Sequence, residues 1–493
     1  MTEWTEEQNS IFEAFPSDSN LEVDALAGTG KTTVNVEGIG RLDKDIDILA
    51  CAFNKHIQTT LEKKLKDSTA VALTMNGMGH RAWAKYLGRR LILEQNKVGM
   101  ITTEATKTIK DEDVWLPVIQ LVAKAKTAGI VPEGAPESIS SLMPDTRANW
   151  EQLAYQFDID CSDTIIDIAR MVLTHSIRKA FEGIIDFDDQ IYMSTLWGAP
   201  FARYDKVVVD EAQDLNLLQH MMVQKSSRGQ IIAVGDPRQA IYAFRGADQD
   251  SMAKLGKELD SKTYPLTMCW RCSNAVIDHV QEIVPMIRAR NGAPEGSVSY
   301  LNEWNSEIFN QGDVILCRNN APLLKLAFQL LREGKGVYVI GRDIGVTLKN
   351  LVRKVLDKNL DQSIETLVKC IRGWEQKELM MAESKGDQAK ADRVQDKAEA
   401  LRCAITYSRA TSPKEVVNQI DKLYSRGSAP ITLSTIHKIK GMEHDTVYFL
   451  DAWLLKRDGD YTGQDENLDY VARSRAKLHL KYINSEDFDD GSE

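Results

Sequence analysis

Cysteine is scarce in this chain, with seven among 493 residues. So low a content excludes a disulfide-stapled scaffold and is typical of a reducing compartment. The one closely spaced pair, Cys269 and Cys272, has no second pair and no neighbouring ligand histidine, so it does not predict a zinc site.

Long apolar runs are also missing, because no stretch approaches the roughly 20 apolar residues that a membrane span needs. We therefore expect no membrane partner.

An excess of positive charge is missing as well, because the formal net charge is −11. This excludes a uniformly basic coat for nucleic acid, but a local basic groove inside an acidic molecule is compatible with it. The first ten residues, MTEWTEEQNS, lack the basic and apolar regions of a signal peptide. Together with the scarce cysteine, this favours a cytoplasmic location.

A glycine-rich stretch from Asp24 to Thr33, DALAGTGKTT, follows an apolar alternation that predicts a short buried strand. Such glycines let the backbone turn tightly at the start of a helix and point its N–H groups at phosphates. Lys31 is placed to reach the β- and γ-phosphates, and the Thr32 hydroxyl to ligate Mg²⁺. The general pattern has glycine where this chain has Ala25, and the alternative is a chance glycine-rich turn. We predict a nucleotide site made by Ala27, Gly28, Thr29, Gly30, Lys31, Thr32 and Thr33.

Apolar runs alternate with helical patterns along most of the chain, which predicts parallel sheets and an α/β fold. Two mostly helical stretches interrupt the alternation, and we interpret them as inserted domains. The strand predicted at Tyr264–Thr267 is taken to open a second sheet domain, and the charge-rich stretch Gln376–Arg402 predicts a solvated helical hairpin. An acidic tail closes the chain and is expected to be disordered. The predicted division is a first sheet domain of residues 1–82 and 185–262 with the insertion 83–184, a second sheet domain of residues 263–345 and 428–485 with the insertion 346–427, and the tail 486–493.

Acidic side chains follow the predicted strand Tyr204–Val209, beginning with Asp210 and Glu211. A Mg²⁺-nucleotide site needs a carboxylate at the end of a neighbouring strand, which Asp210 supplies. Glu211 is then placed to polarise an attacking water. The alternative, a surface acidic turn, is disfavoured because a buried strand should not end in two carboxylates without a role for them. Gln239 follows the next strand and is predicted beside the same site, where a neutral amide can sense the γ-phosphate.

Phe244 and Arg245 follow Gln239 within one short segment. They form an aromatic–cation pair suited to stacking on a base and contacting a phosphate. Taken alone, Phe244 is better explained by packing in a core.

Short motifs occur in a fixed order along nearly the whole chain. They are the phosphate loop, D-E-x-Q-D from Asp210, Q-x-I-Y-x-F-R-G-A-D from Gln239, W-R at Trp270, T-x-H-x-x-K-G-x-E from Thr435 and Y-V-A-x-S-R-A from Tyr470. In this order they resemble the superfamily 1A DNA helicases of the UvrD, PcrA and Rep type. In detail they are most similar to the helicase core of the F-box DNA helicase family, and the compact chain suggests a viral or phage version.

The resemblance implies a role for each matching residue. Asp210 and Thr32 are implied as Mg²⁺ ligands, and Lys31, Asp210, Glu211 and Gln239 as catalytic residues. The implied nucleotide contacts outside the phosphate loop are Gln8 for adenine, Trp270 for stacking on the base, Glu443 for the ribose, and two arginine fingers, Arg271 and Arg475. The implied DNA contacts are Phe53, Tyr242, Phe244, Arg245, Thr435 and His437.

The chain departs from the family pattern in places. Trp270 stands where tyrosine is usual, which preserves a stacking face. Thr74–Gly77 reads T-M-N-G where the family often has T-F-H-S, so Asn76 replaces the usual histidine. The second insertion is about half of the expected length.

The resemblance implies two RecA-like domains, each with a helical insertion, and fingers that act when the cleft between the domains closes. It implies an ATP- and Mg²⁺-dependent motor that moves 3′→5′ on single-stranded DNA and unwinds duplexes in replication, repair or recombination. Implied partners are single-stranded DNA, junctions of single- and double-stranded DNA, and a replication or recombination protein, in the host cytoplasm if the chain is viral. Two alternatives stay open: a translocase that strips proteins from DNA with little unwinding, and a nucleotide-dependent switch or loader without motor activity.

Overall fold

A computed structural model describes residues 3–52, 54–107, 114–136, 139, 141–157, 159, 161–241, 251–357, 359, 361–384, 388–424, 431–457, 459–461 and 464–488. The chain divides into two compact units, Met1–Thr267 (unit 1) and Met268–Glu493 (unit 2). Among the described residues, no helix is both long and apolar enough to cross a bilayer.

Unit 1 is built on a parallel sheet. Its strands are β1 Leu21–Ala25, β2 Ile48–Ala52, β3 Val71–Thr74, β4 Ile92–Leu93, β5 Ile184–Ile185, β6 Tyr204–Val209, β7 Ser227–Gly235 and β8 Lys262–Leu266. Its helices are α1 Glu6–Ala14, α2 Lys31–Gly40, α3 Lys55–Lys64, α4 Met75–Leu87, α5 Lys97–Ala105, α6 Trp115–Ala128, α7 Arg147–Gln156, α8 Asp163–Phe181, α9 Phe187–Leu196, α10 Leu217–Ser226 and α11 Ser251–Glu258.

The main sheet of unit 1 has six strands in the order β3-β2-β6-β7-β1-β8, and every pairing is parallel. Every residue of β2, which has a neighbouring strand on either side, is buried, as expected for a strand covered by helices on both faces. In a parallel sheet the carboxyl ends of the strands lie along one edge. The phosphate loop after β1, the acids after β6 and the polar turn after β7 therefore meet there.

The first insertion is helical, as predicted, and has its own apolar core. Trp83 and Trp150 are buried in this core, and β4 pairs with β5 where the chain enters and leaves the insertion. A set of buried charges lies among its helices, namely Lys97, Lys126, Asp186 and Asp189. The core also takes in residues of α9, such as Tyr192 and Met193, which the predicted limit of 184 had placed outside the insertion.

Unit 2 repeats the arrangement. Its strands are β9 Met268–Cys269, β10 Arg288–Ala289, β11 Ser297–Leu301, β12 Val314–Cys317, β13 Val337–Ile340, β14 Ile431–Thr435, β15 His444–Leu450, β16 Lys456–Arg457, β17 Asp460–Tyr461 and β18 Ala476–Ile483. Its helices are α12 Asn274–Val280, α13 Asn320–Arg332, α14 Arg342–Leu356, α15 Ile364–Ser384, α16 Gln388–Ser408, α17 Pro413–Tyr424, α18 Ile436–Ile439 and α19 Asp465–Arg473.

The sheet of unit 2 also has six strands, in the order β11-β18-β15-β12-β14-β13, and is parallel throughout. Four long helices, α14 to α17, occupy the stretch predicted as the second insertion. The predicted hairpin is formed by α15 and α16, where Arg402 pairs with Glu375 and Lys390 with Glu378. The two parallel sheets with their helices confirm the predicted α/β fold with two RecA-like parts.

Two further predictions differ from the structure, one about a domain limit and one about the first residues of the tail. The strand near Tyr264–Thr267 is real, but as β8 it pairs with β1 and closes the edge of the sheet in unit 1. The acidic tail is not disordered from residue 486, because Ser485–Asp487 forms a 3-10 turn. Phe488 then packs against Trp304, with ring centroids 4.8 Å apart. Residues 489–493 lie outside the described residues.

Candidate nucleotide-binding and catalytic site

The loop between β1 and α2 has the backbone of a phosphate site. Gly28 and Gly30 have φ of 72° and 85°, the left-handed region that side chains with a Cβ rarely adopt. Helix α2 begins at Lys31, and its N-cap residue Gly30 supplies no side-chain cap. The N–H groups and the positive dipole end of the first helical turn therefore face the loop, which favours an anion there.

Lys31 and Thr32 hold their functional atoms at this loop. The Nζ of Lys31 donates to the carbonyl of Ala25 at 3.2 Å, so the ammonium folds back over the residues that would surround a phosphate. The Thr32 hydroxyl donates to Oδ2 of Asp210 at 3.1 Å. Residues 178 positions apart in the sequence thus meet, as the motif reading predicts.

Asp210 and Thr32 form a donor set that fits Mg²⁺. A carboxylate and a hydroxyl are hard oxygen ligands, and Mg²⁺ in nucleotide sites takes its remaining positions from water and phosphate. Burial, together with the neighbouring Glu211 carboxylate, raises the pKa of Asp210 to about 6, although Lys31 opposes the shift. A buried carboxylate of this kind is stabilised when a cation is bound beside it.

Glu211 is held in a defined orientation by its neighbours. Its φ of 54° lies in the left-handed region, which for a residue with a side chain costs on the order of 1–3 kcal/mol. Its N–H donates to Oδ1 of Asp210 at 3.1 Å, and the side-chain amide of Gln213 donates to its Oε2 at 2.6 Å. The carboxylate is thereby aimed by a hydrogen bond, as a general base requires.

A buried aspartate joins Glu211 to Gln239. The Asp236 N–H donates to Oε1 of Gln213 at 3.0 Å, and the Gln239 amide donates to Oδ2 of Asp236 at 2.7 Å. Gly235 is required beside them, because an added Cβ would stand 2.3 Å from Oε1 of Gln213. Sequence reasoning placed Gln239 here but missed the part of Asp236, although its position directly after a buried strand was a usable signal.

Gln8, the residue matched to adenine recognition, is buried and forms part of a capping box. Its Oε1 accepts from the Thr5 N–H at 3.0 Å, and its own N–H donates to the Thr5 hydroxyl at 3.1 Å. The neighbouring Glu7 accepts from the Thr267 N–H and hydroxyl, which ties α1 to the residue after β8. The contact of Gln8 with adenine stays a prediction.

Unit 2 brings its predicted nucleotide residues together around one turn. Arg271 forms an ion pair with Glu443 and donates from Nη1 to the Ser474 carbonyl at 3.2 Å. Trp270 is 45% exposed, so the residue is accessible, and its stacking on a base stays a prediction. Arg271 and Glu443 come from distant segments, and their meeting was not predictable from either motif alone.

Arg475 is buried, unlike Arg271. Its Nε donates to the Val471 carbonyl at 3.0 Å, and its Nη1 and Nη2 donate to the Met442 carbonyl and the Ser474 hydroxyl at 3.3 and 2.9 Å. The guanidinium therefore organises the turn after α19 in this structure. Its predicted action as a finger stays a prediction.

The predicted DNA contacts are described only in part. Thr435, at the end of β14, is buried, and His437 lies on the short helix α18. Asn76 donates its side-chain amide to the Phe187 carbonyl at 2.7 Å, and Phe187 is 48% exposed. Sequence reasoning did not single out this aromatic ring. The other predicted contacts lie outside the described residues, namely Phe53, Tyr242, Phe244 and Arg245.

Residues 4–260 match the family model described as the UvrD/REP helicase N-terminal domain. The chain is 24% identical over 521 aligned positions to F-box DNA helicase protein 1 of Schizosaccharomyces pombe, an alignment that covers 97% of this chain and 57% of that protein. It is 26% identical to F-box DNA helicase 1 of Gallus gallus, covering 56% of this chain and 29% of that protein. It is 24% identical to the ATP-dependent DNA helicase Rep of Buchnera aphidicola, covering 47% of this chain and 35% of that protein.

The chain thus spans little more than half the length of the yeast relative and less of the others. The family match includes the phosphate loop, the acid pair and Gln239, and it covers more than half of the 493 residues. The chain is therefore a member of the UvrD/Rep helicase family.

Proposed function

We propose that this protein is an ATP- and Mg²⁺-dependent motor that moves 3′→5′ along single-stranded DNA and unwinds duplex DNA. The observation that carries the proposal is the hydrogen-bonded chain from Glu211 through Gln213 and Asp236 to Gln239, next to the phosphate loop. A site that only bound nucleotide would have no need to aim a carboxylate and link it to a second strand end. The 3′→5′ direction is supported by the family resemblance alone.

In this proposal the chain's residues divide the work of hydrolysis. The loop N–H groups and Lys31 bind the phosphates, and Thr32 with Asp210 holds the metal. Bound Mg²⁺ supplies charge neutralisation for the phosphoryl transfer. Glu211 takes the proton from the attacking water, and its hydrogen bond from Gln213 keeps it oriented. Gln239 reports the state of the γ-phosphate to the residues that follow it.

Unit 2 would contribute Arg271 and Arg475, whose positive charges would stabilise the negative charge that develops in the transition state. Trp270 would stack on the base, and Glu443 would bind the ribose in place of its present ion pair with Arg271. Gln8 would read the adenine. These roles come from the motif match and apply to the nucleotide-bound state.

The proposed substrate is single-stranded DNA and its junctions with duplex. The proposed DNA contacts are Phe53, Tyr242, Phe244, Arg245, Thr435 and His437. A replication or recombination protein is a proposed partner, and the proposed location is the cytoplasm, of the host cell if the chain is viral.

Strand displacement on tailed duplexes tests the proposal. The purified 493-residue chain is mixed with Mg-ATP and a labelled duplex that carries either a 3′ or a 5′ single-stranded tail, with Glu211→Gln as the inactive control. We expect unwinding from the 3′ tail only. Unwinding from the 5′ tail alone contradicts the polarity.

A second substrate separates the alternatives. It carries a streptavidin bound to biotin on the single strand, with no duplex to open. Loss of streptavidin without strand separation on the tailed duplex would favour a protein-stripping translocase. ATP hydrolysis without streptavidin release and without strand separation would favour a switch or loader.

A further inference from the structure

A buried serine and histidine lie beside the catalytic turn, and no motif of the sequence accounts for them. Ser251 is the first residue of α11 and His220 lies on α10, and both are buried. The Ser251 hydroxyl donates to the carbonyl of Ala212 at 2.9 Å. Nε2 of His220 lies 2.8 Å from the same hydroxyl oxygen.

The direction of these hydrogen bonds follows from the number of protons. A serine hydroxyl has one hydrogen, which Ser251 gives to the Ala212 carbonyl. The bond from His220 must therefore be an N–H donated from Nε2 to the Ser251 oxygen. The His220 N–H thus orients the Ser251 hydroxyl, and the Ser251 hydroxyl holds the Ala212 carbonyl in its position.

The carbonyl that Ser251 holds belongs to the residue directly after Glu211. Glu211 has the left-handed φ of 54°, and Ala212 begins the 3-10 turn Ala212–Asp214. A residue in that conformation keeps it only where the surrounding contacts impose it. Gln213 restrains the turn through its hydrogen bond to the Glu211 carboxylate. Ser251 restrains it through its hydrogen bond to the backbone carbonyl of Ala212.

We propose that Ser251 and His220 are positioning residues for hydrolysis, which keep Glu211 in its catalytic orientation through the Ala212 carbonyl. The inference rests on the proposed function, because it assigns Glu211 as the base. Ser251 also follows directly on residues 240–250, the segment in which three of the proposed DNA contacts lie. The upstream limit of that segment, Gln239, is joined to the same turn through Asp236 and Gln213. The residues that flank this segment, Gln239 and Ser251, are thus both connected by hydrogen bonds to the turn that carries Glu211.

The Ala212 carbonyl keeps a partner when the serine hydroxyl is removed, because the Leu215 N–H also donates to it at 3.3 Å. Ser251→Ala is for this reason expected to fold. Ser194→Ala is a matched control, since the buried Ser194 hydroxyl donates to the Gln190 carbonyl at 2.6 Å, on a helix that does not carry the acid turn. His220→Gln retains an N–H donor near the position of Nε2, and His220→Leu removes it.

The experiment measures steady-state ATPase of the full chain against Mg-ATP concentration, with and without oligo-dT, and the melting temperature of each variant. We expect Ser251→Ala to lower kcat by about tenfold or more, with KM for ATP within about twofold of the wild type, because orientation of the base acts on the chemical step. His220→Gln should retain more of the wild-type kcat than His220→Leu, and Ser194→Ala should retain all of it.

A Ser251→Ala protein with wild-type kcat overturns the inference and leaves the proposed function intact. A kcat that falls only in proportion to the folded fraction, as in an equally destabilised Ser194→Ala, also overturns it. A wild-type chain that hydrolyses no ATP contradicts the proposed function and this inference together.

Discussion

At the scale of single residues, the site depends on buried polar groups that hold one another. Asp210 is buried and its pKa is raised, since burial and the Glu211 carboxylate both disfavour its charged form. Glu211 in turn keeps a costly backbone conformation. Both features reduce the stability of the empty protein and are offset when a cation and phosphates bind, as is common at functional sites.

Lys31→Ala and Glu211→Gln should both abolish ATP hydrolysis, for different reasons. Lys31→Ala removes a phosphate contact, so binding of a fluorescent ATP analogue should weaken. Glu211→Gln retains every ground-state contact and should bind the analogue at least as tightly as the wild type, while kcat falls by about 100-fold or more. Near-normal turnover in Glu211→Gln would remove the assignment of the base.

Arg271→Ala and Arg475→Ala should differ in stability although both lower kcat. Arg475 is buried and donates to two backbone carbonyls, and hydrogen bonds to charged groups contribute about 1.5–3 kcal/mol each. Arg475→Ala should therefore lower the melting temperature of the protein. Arg271→Ala should leave the melting temperature near that of the wild type.

For both variants kcat is compared with the affinity for ATP, since a finger acts on charge that develops in the transition state. If Arg271→Ala loses only affinity, Arg271 is a binding residue and its role as a finger is withdrawn.

At the scale of elements, the first insertion is held together by charges as well as by apolar packing. The Nζ of Lys126 lies 2.6 Å from Oδ2 of Asp186 and 2.8 Å from Oδ1 of Asp189, and Lys97 pairs with the same two carboxylates. Asp186 also caps α9, so the cluster connects α5 and α6 to the helix that leads back to the main sheet. The charges therefore tie helices of the insertion to the segment that leads back to the main sheet of unit 1.

Removing one lysine from this cluster should be strongly destabilising. Lys126→Met leaves two buried aspartates with a single partner, which costs about 3–5 kcal/mol in comparable cases. Lys179→Met on α8 is the control, because its ion pair with Glu182 is exposed and should contribute no more than about 1 kcal/mol. Urea unfolding followed by circular dichroism checks both. Equal effects of the two substitutions would contradict a structural role for the cluster.

The cluster also predicts a dependence on pH. Burial alone would raise the pKa of Asp186, but Lys126 and Lys97 outweigh it and hold the pKa below its ordinary value. A carboxyl with a depressed folded-state pKa stabilises the fold above its unfolded value of about 3.9, and this contribution is lost as pH falls below that value through the folded pKa. The wild type should therefore unfold at a higher urea concentration than Asp186→Asn at pH 7. This difference in urea midpoint should be largest at neutral pH and decrease below about pH 4. A difference that is constant from pH 7 to pH 3 would count against this assignment.

The elements themselves were largely predictable, because local signals specify them. The strand at Tyr204–Val209 and the strand that leads into the phosphate loop follow from apolar runs that end in polar or glycine-rich turns. The assignment of β8 failed, since nothing local tells the last strand of one sheet from the first strand of the next. Only its pairing with β1, far away in the sequence, decides this.

The candidate site was also predictable only where local motifs specify it. Motifs gave Lys31, Thr32 and Asp210, and the structure brings these residues together. The roles of Asp236 and Ser251 were not predictable, because they depend on hydrogen bonds between separate strand ends and helices. The order within the acidic tail depends in the same way on one aromatic ring, Phe488, which meets Trp304.

At the scale of the whole molecule, two parallel sheets each carry a set of nucleotide residues at the ends of their strands. Unit 1 has the phosphate loop and the acid pair, and unit 2 has Arg271, Glu443 and Arg475 around Ser474. The first set supplies the phosphate loop, the metal ligands and the base, and the second supplies the two arginines that the motif match assigns as fingers. The proposed motor uses both sets for ATP hydrolysis. Its rate of hydrolysis should therefore depend on whether DNA is bound.

The measurement that tests the motor most directly is ATP turnover as a function of the length of single-stranded DNA. The full chain is assayed with saturating Mg-ATP and oligo-dT of increasing length at equal concentration of ends, with Glu211→Gln as the blank. A motor that translocates and dissociates at the end spends a larger share of its time moving on longer strands. Turnover should therefore be low without DNA, rise with length and then level off. A turnover that is the same with and without DNA, or that shows no dependence on length, would contradict the account.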